Sequence, residues 1–147
     1  MSHEPGAANV IHFDPAPENP CFGCGGGNVH GMRLAFEGGP ASGRVTGRFR
    51  LGSDYQGSDG VLHGGITALL LDEAIGKLSR FAEVRAVTAE LNIEYLKPIH
   101  AEEEIFVEAF QAEHKGRQFY HQAEIRNAAG VVLARGRGRF VAIGPRQ

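Results

Sequence analysis

Nowhere in this chain does an apolar run approach the roughly 18 residues that a membrane-crossing helix needs. Its opening residues, MSHEPGAANV, have neither the basic start nor the apolar centre of a secretory leader. Charge of one sign is not in excess: 15 Lys and Arg against 17 Asp and Glu leave a formal charge of −2. That balance gives no reason to expect a nucleic-acid partner, and any basic surface has to be local. Cysteine is scarce, with only Cys21 and Cys24. Structural zinc wants four ligands and a second Cys-x-x-Cys pair is missing, so no metal is expected. A thioredoxin-like role wants its cysteines at a helix start, and here glycines follow them. The Gly-x-Ser-x-Gly elbow of serine hydrolases does not occur. These absences point to a cytoplasmic protein with no membrane span, its two cysteines reduced and packing the N-terminal segment against the domain.

What is present is ordinary in bulk and unusual in detail. Hydrophobic residues make up 42% and charged residues 22% of 147, enough for one domain with its own core. The 21 glycines fall mainly at turn-like positions and suggest a strand-rich fold with tight connections. Residues 1–20, rich in Pro, Ala, Asn and Gly, read as a loosely held arm, and 21–147 as a single domain.

Strands are expected at residues 32–37 and 43–51. The loop 52–62 then leads into a helix over roughly 64–81. Residues 86–96 alternate apolar and polar with period two, and Lys97-Pro98 ends that strand, since proline cannot donate to a ladder. Further strands follow at 104–113, 117–126 and 131–143, with turns at Lys115-Gly116 and 127–130. Short connections predict an antiparallel meander of these four strands, hence an α+β fold with five to six strands curled around one helix.

The helix carries the chemistry. His63-Gly64-Gly65 opens a nearly all-apolar run, and Asp72 sits in its middle. Glycine at a helix start lets another group approach unpaired backbone N–H donors, where the macrodipole adds positive potential. A carboxylate among Leu69, Leu70, Leu71 and Ile75 loses hydration and has to be paired, protonated or employed. Donors for a polarised carbonyl and a carboxylate to drive the attack are the parts of an acyl-transfer site. Asp72 lies on a stripe of small residues, Gly65, Ala68 and Gly76, which allows another backbone or a ligand to come close. Glu73 lies about 100° away, four residues before Lys77, and reads as a solvated ion pair whose loss leaves hydrolysis nearly unchanged. His63 reads as a cap or loop anchor, or as a general acid or base, although no residue completes a triad with it.

Taken together, these residues resemble a hotdog-fold acyl-CoA thioesterase of the phenylacetate-pathway and 4-hydroxybenzoyl-CoA thioesterase superfamily. The resemblance rests on Tyr55-Gln56-Gly57, Gly60-Val61-Leu62-His63-Gly64-Gly65, Leu71-Asp72-Glu73-Ala74, Val87-Thr88-Ala89, Tyr95-Leu96-Lys97-Pro98 and Gly136-Arg137-Gly138-Arg139-Phe140. It implies a helix wrapped by a curved antiparallel sheet, in subunits paired edge to edge as a homodimer and then a tetramer. It implies that Asp72 acts as nucleophile or general base, and that Gly65, aided by Gly64, donates to the thioester oxygen. Thr88 of a partner subunit would hold the attacking water or the carboxylate. Relatives place a side-chain amide six residues before the histidine; here that position is Gly57, and the nearest amide is Gln56.

The substrate so implied is an acyl- or aroyl-CoA, with coenzyme A part of the substrate and no cofactor. Its phosphates want basic residues, and the candidates are Lys97, Lys115, Arg117 and Arg80, with Tyr55 beside the acyl group. Arg135, Arg137 and Arg139 share one face of the last strand and are expected to pair with acids such as Glu108 or Glu124. The rival readings are a non-catalytic acyl-CoA or lipid-like ligand-binding module and a hotdog dehydratase. Asp72 favours a hydrolase over a binder, and no second histidine is placed for dehydration.

Overall fold

The computed structural model describes residues 10–146. Seven strands form one antiparallel sheet: β1 (Ile11–Phe13), β2 (Phe36–Gly39), β3 (Arg44–Arg50), β4 (Val84–Tyr95), β5 (Glu104–Lys115), β6 (Gln118–Asn127) and β7 (Val132–Pro145). Their order across the sheet is β1-β2-β3-β5-β6-β7-β4. A single helix, α1 (Gly64–Lys77), runs on into a short 3-10 turn, Leu78–Arg80, and packs against β3 through β7. The α+β expectation of one helix held by a large antiparallel sheet is met, with one strand more than foreseen.

The extra strand is β1. Of the stretch expected as an arm, residues 1–9 lie outside the described residues. Ile11–Phe13 pairs with β2, and Phe13 is buried beside Phe81.

The helix binds its core through a regular stripe: Thr67, Leu70, Leu71, Ala74 and Ile75 are buried, at spacings of three and four. The opposing sheet face supplies Val45, Ile105, Val107, Ala123, Ile125 and Phe140. Gly116 (φ 57°) and Gly130 (φ 82°) sit in the left-handed region in the β5–β6 and β6–β7 turns, where a side chain is strained. Those hairpins make β5-β6-β7 the meander that short connections predict. β4 does not join it. It lies at the far edge and, among the described residues, pairs only with β7. The physical cause is the connection 96–103, too long for a tight hairpin and stiffened by Pro98. Leu96 and Lys97 tie it to the start of β7 by donating to the Leu133 carbonyl at 2.9 and 3.0 Å.

His121 lies in this core, 2% exposed between Phe119 and Phe140. Among the described residues its Nδ1 has no hydrogen-bond partner, and burial pushes its pKa from the usual 6.5 down to about 4. The unfolded chain therefore takes up this proton near pH 6.5, whereas the folded chain resists it until about 4. Stability is fully present above the first value and is lost as pH falls toward the second. Between pH 7 and pH 5 the expected loss from this residue is about 2 kcal/mol. Urea denaturation of His121→Phe at the two pH values should show that loss removed; an unchanged pH slope would refute the assignment.

Candidate active site

The loop 52–62 and helix α1 build the site. Gln56 pairs with Leu62 in an isolated bridge, and its Oε1 accepts from the Gly60 amide at 3.0 Å, so the loop folds back on itself. The His63 amide donates to the Tyr55 carbonyl at 2.8 Å. These bonds deliver His63 to the helix start as its N-cap, where its Nδ1 accepts from the Gly65 amide at 2.8 Å. A neutral ring accepting at Nδ1 carries its proton on Nε2, which leaves a second donor on the outward edge. Gly64 is held from the other side: the Tyr95 hydroxyl donates to its carbonyl at 2.8 Å. Tyr95 closes the alternating strand ahead of Lys97-Pro98, and its hold on Gly64 was not anticipated from sequence.

Asp72 lies seven residues beyond Gly65. Two turns of helix return it to the same face, roughly 10 Å further along the axis. It is half-buried, and Thr88 Oγ1 donates to its Oδ1 at 3.0 Å. Burial raises the pKa of this carboxyl above 3.8; the Thr88 bond opposes that shift, and neighbouring Glu73 adds to it. The resemblance implied a hydroxyl arriving from a second subunit. Within this one chain Thr88 already reaches Asp72, because β4 runs antiparallel to α1 and brings its first half beside the middle of the helix.

The helix start borders two depressions. One is an open groove of about 430 Å³, whose apolar walls are Phe22, Tyr55 and Ile66 and whose polar ones are Asp54, Gln56, His63 and Gly65. The other, of about 310 Å³, lies between Gly64, Thr67, Tyr95 and the segment Leu96–Ile99, with Lys97 at its wall. The other basic candidates do not gather here. Lys115 pairs with Glu113 at 3.2 Å, and Arg117 donates to the Ala142 carbonyl at 3.2 Å. Both belong to the β5–β6 turn, beside the C-terminal end of β7, opposite the end that carries Lys97. Arg80 lies over the Phe13 ring at the C-terminal end of the helix. Arg135 does pair with Glu124, at 3.5 Å.

Glu73 is the clearest departure from the sequence reading. Its bond to Lys77 is there at 3.1 Å, but the two side chains are only 16% and 15% exposed. The loop of Cys21 and Cys24 covers them, with Cys21 Sγ donating to Glu73 Oε1 at 3.5 Å. Helical spacing showed the pair, but what covers it is decided by a segment fifty residues away. Cys21, Cys24 and Glu73 place their ligand atoms within 4.8 Å of one another. The Lys77 ammonium brings a positive charge to this cluster, bonded to Glu73 and close to the Cys24 thiol. Burial would lower the Lys77 pKa, yet Glu73 and Cys24 hold it above its ordinary value, while burial pushes the Cys24 thiol up to about 11. Both cysteines are reduced and half-buried.

A family profile described as the thioesterase superfamily matches residues 59–134, which span the helix start, Asp72, Thr88 and the sheet around them. The chain belongs to the thioesterase superfamily. As a member, it is 32% identical over 84 residues to acyl-coenzyme A thioesterase THEM4 of Rattus norvegicus, covering 57% of this chain and 36% of that protein. A solved thioesterase superfamily protein is 32% identical, with a TM-score of 0.74 over 80% of this chain and 57% of the other. A Streptococcus mutans protein solved with acetyl CoA shares the fold at a TM-score of 0.68 and 20% identity, over 71% of this chain and 85% of its own. The chain thus spans about a third of the curated relative's length and just over half of the first solved chain. No helix among the described residues is long and apolar enough to cross a membrane.

Proposed function

We propose that this superfamily member hydrolyses an acyl- or aroyl-CoA thioester to the free acid and coenzyme A. The observation that carries this reading is Asp72: a half-buried carboxylate with a raised pKa, held by Thr88, on the same helix face as the Gly65 amide. A thioester carbonyl is already electrophilic, so a placed carboxylate and one or two N–H donors suffice. As general base, Asp72 takes a proton from water while the water oxygen bonds to the carbonyl carbon; the carbon–sulfur bond then breaks, and the departing thiolate takes up that proton. As nucleophile, an Asp72 oxygen bonds to the carbonyl carbon as the carbon–sulfur bond breaks, and water then cleaves the mixed anhydride to the free acid and the Asp72 carboxylate, its remaining proton going to the thiolate. The Gly65 amide, now capped by His63 Nδ1, turns to the carbonyl oxygen when the imidazole swings aside, and the Nε2–H of His63 is the alternative donor.

Within one chain the two halves of this site do not meet. A reacting carbonyl has to lie about 3 Å from both the attacking group and its donors, whereas the helix separates Asp72 from Gly65 by roughly 10 Å. A second copy resolves this. β4 is a long edge strand with Val87 and Tyr95 exposed, the kind of edge that natural sheets cover. Antiparallel pairing of two β4 strands about a two-fold axis at Asn92, with the bulge at Ala89 left out of the pairing, sets Thr88 opposite the partner's Tyr95. Tyr95 holds Gly64, so each Asp72 comes beside the partner's helix start, and the dimer carries two equivalent sites. We infer a homodimer on these grounds, and a cytoplasmic protein with no cofactor beyond the coenzyme A of its substrate.

A panel of acyl-CoAs incubated with the purified protein and a thiol reagent tests the reading. Release of free coenzyme A from at least one member is expected. Retention of every thioester intact would replace the hydrolase with the acyl-CoA-binding module.

A further inference from the structure

Phe22 is a large apolar side chain left 45% exposed, and nothing about its backbone is loose. Its carbonyl accepts from the Met32 amide at 2.7 Å, and the Gly23 carbonyl accepts from Leu34 at 2.9 Å. The Gly25 amide closes the turn onto the Cys21 carbonyl at 2.9 Å, and Asn19 Oδ1 accepts from the Cys21 amide at 3.0 Å. Beneath the loop, Cys21 Sγ meets Glu73, and a Cβ on buried Gly23 would come within 2.5 Å of Glu73 Oε1. The segment is thus pressed onto α1 one residue from Asp72, and the aromatic ring is carried on its outer side. There it faces Tyr55 and Ile66 across the groove that starts at His63 and Gly65.

We propose that Phe22 is a specificity-determining wall of the acyl lane: it contacts the acyl group and discriminates among acyl groups by bulk. This rests on the thioester reading of the site and adds what that reading leaves open, the surface that meets the acyl chain. Gly65, whose amide is assigned to the carbonyl oxygen, lines this groove together with Phe22 and Ile66, so an acyl group that enters the groove from that carbonyl meets both side chains. Holding an apolar ring at such a place before the ligand arrives avoids the ordering cost of recruiting it later. The pair of cysteines then has a use that is neither metal nor redox: with Glu73 it fixes the loop that presents the ring.

The test combines binding and turnover. Coenzyme A and non-hydrolysable thioether analogues carrying a two-carbon, an eight-carbon and an aryl group are titrated calorimetrically into the wild type, Phe22→Ala, Phe22→Leu and Phe22→Trp. The same acyl groups are assayed as thioesters. Removing the ring should reduce the affinity ratio of the bulkiest bound analogue to coenzyme A about tenfold, a typical scale for one or two methylenes' worth of pocket contact. The ratio of kcat/KM for that acyl group to acetyl-CoA should fall alongside it. Leucine should retain part of the preference, and tryptophan should shift it toward shorter chains. Equal weakening of coenzyme A and every analogue, or an unchanged ratio, would overturn the wall while leaving hydrolysis intact. A ratio that falls in binding with no coenzyme A released by the wild type would sustain the wall and sink the hydrolase. Binding of no analogue by the wild type would overturn both.

Discussion

Replacing Asp72 by asparagine should lower acyl-CoA hydrolysis at least a hundredfold and leave the folded protein no less stable at neutral pH. The first part follows from chemistry: an amide neither takes a proton from water nor attacks a carbonyl, and a placed general base contributes roughly 10²–10⁴-fold. The second follows from the direction of the pKa shift. Burial raises this carboxyl's pKa, so the folded state disfavours its charged form. The sign is then opposite to that of a salt-bridged acid: stability is highest below the unfolded pKa and is lost as pH rises through the raised folded one. Asparagine carries no charge to desolvate and still accepts the Thr88 hydroxyl at Oδ1. Activity should move the other way with pH, rising as Asp72 ionises and levelling above its pKa, and the variant should lose that limb. Turnover of the purified variant within tenfold of the wild type would remove Asp72 from the reaction. A collapse in melting temperature would mean that its role is structural instead. If the site is shared between two chains as proposed, mixed dimers give a companion result. Combining Asp72→Asn with Gly65→Pro, which removes the donor, should restore part of the activity that each variant lacks alone.

Glu73→Ala should cost about 3 kcal/mol of unfolding free energy, near the low end for breaking a buried ion pair. Lys77 is the reason. Its ammonium stays charged under the Cys21–Cys24 loop because Glu73 balances it, and the alanine leaves that charge covered and unpartnered. Glu73→Gln should cost less, since the amide oxygen still accepts from Lys77. The double variant Glu73→Ala/Lys77→Met should recover most of the loss, because removing both charges costs far less than stranding one. Urea denaturation of the four proteins measures this directly. A Glu73→Ala protein within 0.5 kcal/mol of the wild type, the ordinary range for a surface change, would restore the solvated pair that helical spacing alone suggests.

How much of this was legible beforehand depends on the range over which each feature is specified. His63-Gly64-Gly65 announced the helix start, and the alternation of residues 86–96 announced β4 as a strand. Both are set by neighbours within a turn or a pleat. The Glu73–Lys77 spacing was equally local and equally correct, but its solvent exposure was not, because exposure is conferred by whatever packs on top. Phe22 gave no sequence signal beyond being an aromatic between two cysteines. Lys97, Lys115, Arg117 and Arg80 could be named as cations, yet nothing in their spacing said that one lies at one end of the sheet and the others at the opposite end.

The chain's own order of residues settled the single apolar helix, its glycine opening, the carboxylate two turns down its face and the hairpins of β5 to β7. Short-range sterics and periodicity are enough for those. Tertiary structure alone decided that β4 goes to the sheet edge, that Thr88 meets Asp72, that His63 occupies the Gly65 amide and that a loop from the N-terminal segment roofs Glu73 and aims Phe22 into the groove. Each of these joins residues far apart in the chain, and their meeting is fixed by where connections run and which surfaces bury one another.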